Sequence, residues 1–344
     1  VQQAQNAFND KMAQFLLIPL GGAIGFSVES AAGLMIALPF VLFAPLAGWL
    51  SDRFSKRNVM LGAAIAQVAI LAWICGALVI RNMPLALCGF FALATQAAFF
   101  SPAKIGINKE LVGSSHLGFA TSMQQMTALL ALLAGQIVAG WWFDHRFHAL
   151  GGRPDDAWSA ALGPMWLLAG VSTLSILTSW IIPRVPAQGK TAFSGKLVIS
   201  HFTSLADLWR DKPLRQASFG VAFFWGFAGF INLWSVKLAK VLTEGAAGFG
   251  TLSSLFMAAA SIGMALGFGF TSWLLRKRIE LGWVPVAGLM MAALSLVVAC
   301  IPMGGTQAFL DLVKLPANGS PKSLSAILFL GLLASLAFVS SVFL

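Results

Sequence analysis

Charge is what this sequence has least of. Only 10% of its 344 residues are Asp, Glu, Lys or Arg, against about 25% in an ordinary soluble domain. So few charges cannot cover the surface of a water-soluble protein of this length, which argues strongly against a soluble enzyme. Cysteine is also scarce. Cys75, Cys88 and Cys300 lie in apolar runs without a CxxC spacing, so neither a disulfide framework nor a zinc site is signalled, and all three read as small buried hydrophobes. There is no Gly-rich loop ending in GK[ST], which disfavours ATP-driven transport. No His has an Asp five positions on; His201 and Asp207 are six apart. His145 and His148 with Asp144 lack the further ligands a metal needs, and D-H-R-F-H reads as a solvated external loop. No catalytic constellation, metal or cofactor is therefore expected.

What remains is apolar. Hydrophobic residues make up 58% of the chain, with 34 Gly, 28 Phe and 12 Trp and a mean hydropathy of +0.83. This fits a polytopic membrane protein, in which Gly is tolerated inside helices and Trp anchors their ends. The net charge of +10 reflects Lys and Arg collected in cytoplasmic loops; no basic stripe of the kind that binds nucleic acid is present. The chain opens on VQQAQNAFND without an initiator Met or a cleavable signal peptide, as a fragment would.

A bilayer core needs roughly 20 mainly apolar residues per helix. On that rule about ten spans are expected, near 4–26, 32–50, 58–80, 84–105, 118–143, 161–182, 216–240, 246–275, 282–302 and 324–344. The expected organisation is a six-helix bundle over 1–183, a cytoplasmic linker over 184–214 and a four-helix run over 215–344. A short amphipathic stretch near Leu205 to Trp209 is expected at the membrane surface. Basic residues after spans two, four and eight and in the linker outnumber those on the other side, which places the N-terminus in the cytoplasm. Span two ends in GWLSDRFSKR and span eight in FTSWLLRKR. That weak repeat fits a transporter of two six-helix halves lacking its last two helices, with the substrate site between the halves.

Two residues are candidates on physical grounds. The apolar run from Met12 to Phe26 is too short to span a bilayer, so the first helix must carry Asn6, Asn9, Asp10 and Lys11 within it. A carboxylate inside the membrane costs up to about 2.5–3.5 kcal/mol on insertion scales and normally faces a cavity or a partner. Asn6, Asp10 and Gln14, four apart, form one polar stripe, while Lys11 points about 100° away and is expected to snorkel. The alternative places Asp10 at the interface, favoured by the helix N-terminus. Lys104 follows Pro102, which can free backbone carbonyls; it reads either as a cavity residue or as a lysine at the cytoplasmic end.

Gly48-Trp49-Leu50-Ser51-Asp52-Arg53-Phe54-Ser55-Lys56-Arg57 resembles the G-x-L-x-D-R-x-x-(R/K)-(R/K) signature of the major facilitator superfamily. The resemblance implies a conformational latch made by Gly48, Asp52, Arg53, Lys56 and Arg57, with Gly48 allowing a neighbouring helix to approach closely. Phe8-Asn9-Asp10, Ser101-Pro102-Ala103-Lys104-Ile105-Gly106 with Glu110-Leu111, and Phe224-Trp225-Gly226 look like the bacterial lysophospholipid transporter family, which also occurs fused to acyltransferase domains. That resemblance implies an all-α major facilitator fold in the bacterial inner membrane. It also implies alternating-access movement of a lysophosphatidylethanolamine-like lipid between leaflets, and a cytoplasmic acyltransferase partner, fused or separate. The head-group route would involve Asp10 and Lys104, with Asn9, Gln14, Gln125 and Asn232 beside it. Two positions depart from the family pattern: Asn232 stands where an Arg is expected, and Gln125 where an acidic residue is. Lys237 is a substitute cation or a periplasmic anchor. Another facilitator substrate, an amphipathic drug or small metabolite, and the membrane part of a fused lipid-remodelling enzyme are the alternatives.

Overall fold

A computed structural model describes residues 2–26, 28–114, 116–183, 203, 206–242, 249–274, 282–300 and 324–343. The side chains of 29–33, 232–242, 249–255, 298–300, 324–330 and 341–343 lie outside the description. Ten long helices follow one another among the described residues: α1 (Gln2–Ala23), α2 (Glu29–Arg53), α3 (Lys56–Val79), α4 (Met83–Val112), α5 (Leu117–Leu150), α6 (Pro154–Ile181), α7 (Lys212–Leu242), α8 (Phe249–Leu274), α9 (Trp283–Cys300) and α10 (Leu324–Phe343). Each corresponds to an expected span. Six are long and apolar enough to cross a membrane: α2 to α6 and α8.

Local chemistry sets the ends. Ser55 Oγ accepts from the Asn58 amide at 3.3 Å to start α3, and Asn82 Oδ1 accepts from the Leu85 amide at 2.9 Å to start α4. Both are N-caps that satisfy an amide otherwise left open. Helix α6 begins at Pro154, seven residues before the expected span, with Asp155 and Asp156 in its first turn; Pro at the first position and acids near the positive helix end both favour a start there. Helix α5 runs through the D-H-R-F-H stretch to Leu150, where Gly151 takes the left-handed conformation at φ 116°. That stretch is helical, and His145 stacks on Trp141 one turn earlier with ring centroids 5.6 Å apart. Of the expected linker, 184–202, 204 and 205 lie outside the described residues; 206–210 are helical.

The chain divides into two compact units, one of residues 1–117 and 131–205, the other of 118–130 and 206–344. In the first, α3 packs against α4 and α6, α2 against α4, and α1 against α6 and α4. Its core joins Leu16, Leu20, Ile74, Phe90 and Leu168 with Ala139, Ala157, Ala160 and Ala161, the small residues that let membrane helices approach closely. At Gly135 of α5, a Cβ would lie 2.6 Å from the Phe8 carbonyl oxygen of α1, so only glycine fits. In the second unit α8 packs on α10, α9 on α10 and α7 on α8, and a Cβ at Gly263 would lie 2.0 Å from the Ala334 carbonyl oxygen. Both glycines let two helices approach closely. At Gly140, five residues further along α5, a Cβ would meet nothing within 4 Å. Large apolar side chains point outward, Trp141 and Trp180 being 67% and 68% exposed, as lipid-facing residues do.

Candidate functional site

Helix α1 carries six side-chain amides and two charges in 22 residues, and it resolves them onto two faces. At 100° per residue, Gln2, Gln5 and Asn9 lie on one arc and Gln3, Asn6, Asp10, Lys11 and Gln14 on another, centred about 140° away. The first arc meets α6. Gln2 Nε2 donates to Ser179 Oγ at 2.5 Å, Asn9 Nδ2 to Ser172 Oγ at 2.9 Å, and Gln5 Nε2 to the Val171 carbonyl at 2.7 Å. Residues seven apart on α1 thus meet residues seven apart on the antiparallel α6. Asn9 also donates to Gln67 Oε1 of α3 at 3.4 Å. Ser172 and Ser179 pass their own protons to carbonyls one turn back, 2.7 and 2.6 Å away. Asn9, Gln67, Ser172, Ser175 and Ser179 are fully buried. Asn9 therefore sits in helix packing and does not line the cavity described next.

The second arc opens on a cavity of about 300 Å³ enclosed by α1, α2, α4 and α5. Gln3, Asn6, Asp10, Lys11 and Gln14 form its α1 wall and Ser101 and Lys104 its α4 wall; Phe40, Phe90, Leu93 and Phe100 are among its apolar residues. The stripe Asn6, Asp10 and Gln14 thus faces the same space as Lys104. Lys11 does too, which corrects the expectation that it would snorkel: a polar face about 140° wide holds neighbouring positions. Its ammonium donates to Gln14 Oε1 at 2.9 Å and lies 5.8 Å from the centroid of the Phe15 ring. No ion pair within 4.0 Å joins Asp10 to either lysine among the described residues. Gln3 Oε1, Asn6 Oδ1 and Asp10 Oδ1 are buried without a hydrogen-bond partner there. Helix α4 is continuous through Pro102; the carbonyl that accepts from another helix is that of Lys104, from Gln3 Nε2 at 3.3 Å. A second cavity, of about 350 Å³ between α2, α3 and α4, has only Asn58 and Gln96 as polar lining, and the Gln96 amide is turned to the Ala63 carbonyl at 3.0 Å. With no charge in it, it is the weaker candidate despite its size.

Gln125 belongs to the other unit, half-buried on α5. Asn232 and Lys237 lie on α7, where their side chains are outside the described residues. The latch segment spans the end of α2 and the start of α3. Asp52 and Arg53 are exposed, whereas Lys56 is buried and paired with Glu110 of α4. The Lys56 stem crosses Gly106, where a Cβ would lie 2.6 Å from Lys56 Cε. Arg57 donates to the Trp180 carbonyl at the end of α6, 2.7 Å away, a favourable place for a cation. Gly48 has nothing within 4 Å of where a Cβ would be; the close approach expected there occurs at Gly106. Sequence spacing did not reveal the Lys56–Glu110 pair or the serine ladder of α6, whose partners lie 54 to 177 residues apart.

Membrane-crossing helices and a cavity that gathers Asp10, Lys11 and Lys104 define a multi-pass membrane protein with a polar cavity. The chain belongs to the Major Facilitator Superfamily, whose sequence profile matches residues 3–344. It is similar to the lysophospholipid transporter LplT of Photorhabdus laumondii, 27% identical over 230 residues, covering 66% of this chain and 53% of that one. LplT of Yersinia pestis is 30% identical over 189 residues, covering 54% and 42%. The chain thus spans about half the length of the curated relatives it matches. Among solved structures it resembles the major facilitator transporter FucP with a TM-score of 0.64 at 16% identity, over 99% of this chain and 87% of that one. That likeness concerns the fold.

Proposed function

We propose that the chain belongs to a secondary transporter that moves lysophospholipid from the outer to the inner leaflet of the bacterial inner membrane by alternating access. The observation that carries this reading is the cavity lined by Asp10 of α1 and Lys104 of α4 together with apolar residues of α2, α4 and α5. A phosphodiester head group offers its anionic oxygens to Lys104 in charge-assisted bonds and its amine or hydroxyls to Asp10. About 300 Å³ is at the small end of ligand pockets and suits the head group and glycerol rather than a whole lipid. The name of the curated relatives, lysophospholipid transporter, supports the substrate class. The N-terminus and linker are cytoplasmic on the basic-residue bias. The Gly48 to Arg57 segment stabilises one of the two states, through Lys56 and Arg57 in particular. Lipid delivered inward is a substrate for a cytoplasmic acyltransferase, fused or separate.

Uptake of labelled lysophosphatidylethanolamine by cells making the full-length protein tests the reading. Asp10→Ala and Lys104→Ala are each expected to lower uptake about tenfold or more, the weight of a hydrogen bond to a charged group. No uptake by the parent rejects the substrate. Unaltered uptake by both variants rejects the site.

A further inference from the structure

We propose that Lys11 is a head-group-selecting cation and that the cavity prefers a lysophospholipid of net negative head-group charge, a phosphoglycerol, over a zwitterionic phosphoethanolamine or phosphocholine. The inference rests on the transport reading above and deepens it. Its basis is the juxtaposition of two ammonium groups and one carboxylate, Lys11, Lys104 and Asp10, on the walls of one cavity. At their ordinary charges the three leave one positive charge in excess, in a space whose other polar groups are neutral amides and Ser101.

Lys11 is held toward that cavity by bonds within its own helix. One of its three N–H groups is given to Gln14 Oε1 at 2.9 Å, and the Phe15 ring lies 5.8 Å away, within the range of cation–π attraction. Two donors remain for a ligand. A phosphodiester has two non-bridging oxygens, one for each lysine, and its single charge cancels the excess. A phosphoethanolamine brings an ammonium as well, so the excess stays and a third cation enters beside the two lysines. A choline has that charge and no N–H to give. The glycerol head carries hydroxyl donors instead, and buried acceptors without a partner stand on the same wall at Asp10, Asn6 and Gln3. Those hydroxyls serve the acceptors without adding a cation, so the charge of the head group decides the preference over ethanolamine and the missing donors count further against choline.

The test is paired uptake of lysophosphatidylglycerol and lysophosphatidylethanolamine by cells making the full-length protein, with Lys11→Gln and Lys11→Arg beside the parent. The parent is expected to favour the glycerol lipid. In Lys11→Gln the glycerol-to-ethanolamine ratio falls about five- to tenfold, or ~1–1.4 kcal/mol, while Lys11→Arg, which keeps the charge, retains the preference. Equal uptake of the two lipids by the parent, an unchanged ratio in Lys11→Gln, or a ratio lost equally in both variants overturns the proposal and leaves the transport reading standing. A parent that takes up neither lipid overturns both.

Discussion

Two faces of one helix carry similar residues to opposite ends. On the α6 side of α1, Gln2, Gln5 and Asn9 donate to α6 and α3. Gln2 and Asn9 on that side and Gln3, Asn6 and Asp10 on the cavity side each keep a buried side-chain oxygen without a partner among the described residues; what sets the cavity side apart is Asp10 and two lysines in one space. Hydrogen bonds between membrane helices average about 0.6 kcal/mol and reach about 1.7, enough for the first face to serve helix association. Charges gathered around a cavity are costly in a membrane, and a polar ligand is the use we propose for them. Polarity in a membrane helix thus does not identify a site; a cavity that gathers charge does.

The comparison breaks first at Asp10. Asp10→Asn removes the charge and keeps the shape, so uptake is expected to fall about tenfold or more while detergent melting temperature stays level or rises, since a carboxylate is costly at that depth. A lower melting temperature would place Asp10 with the packing face. Asn9→Leu is the mirror experiment. It strands Gln67 and loses the bond to Ser172, and the stability loss, read from thermal unfolding, is expected at about 1–3 kcal/mol. Gly106→Ala comes next: Lys56 must move its stem away from the new methyl, weakening its pair with Glu110. A loss of about 1 kcal/mol is expected, as for a modestly overpacked site. Gly48→Ala is the smallest effect. Its surroundings are open, so stability holds or gains up to about 0.5–1 kcal/mol from the helix preference of Ala.

Hydropathy made all ten helices legible and misjudged several ends in one direction. Helix α4 reaches Val112, α5 reaches Leu150 and α6 begins at Pro154, all beyond the expected spans. Apolar runs mark the part of a helix that lies in lipid, whereas hydrogen bonding continues into water. At 34 residues α5 is about 51 Å long, well beyond a hydrocarbon core of about 30 Å. The candidate site was half legible. A spacing of four placed Asn6, Asp10 and Gln14 together, and the cost of an intramembrane charge singled out Asp10 and Lys104. Lys11 was not legible from spacing, because 100° of rotation does not leave a polar face that is about 140° wide. The destination of Asn9 depended on Ser172, 163 residues away, which no local pattern contains. Lys56 needed Glu110 for the same reason.

The most direct measurement of the central claim is attachment mapping. A lysophospholipid bearing a photoreactive head group would be crosslinked to the full-length protein in membranes and the labelled peptides sequenced. The account predicts label on the α1 peptide at Gln3, Asn6, Asp10, Lys11 or Gln14 and on the α4 peptide at Lys104, lost in Lys104→Ala. Label confined to the outer faces of the bundle, or persisting unchanged in that variant, would contradict it.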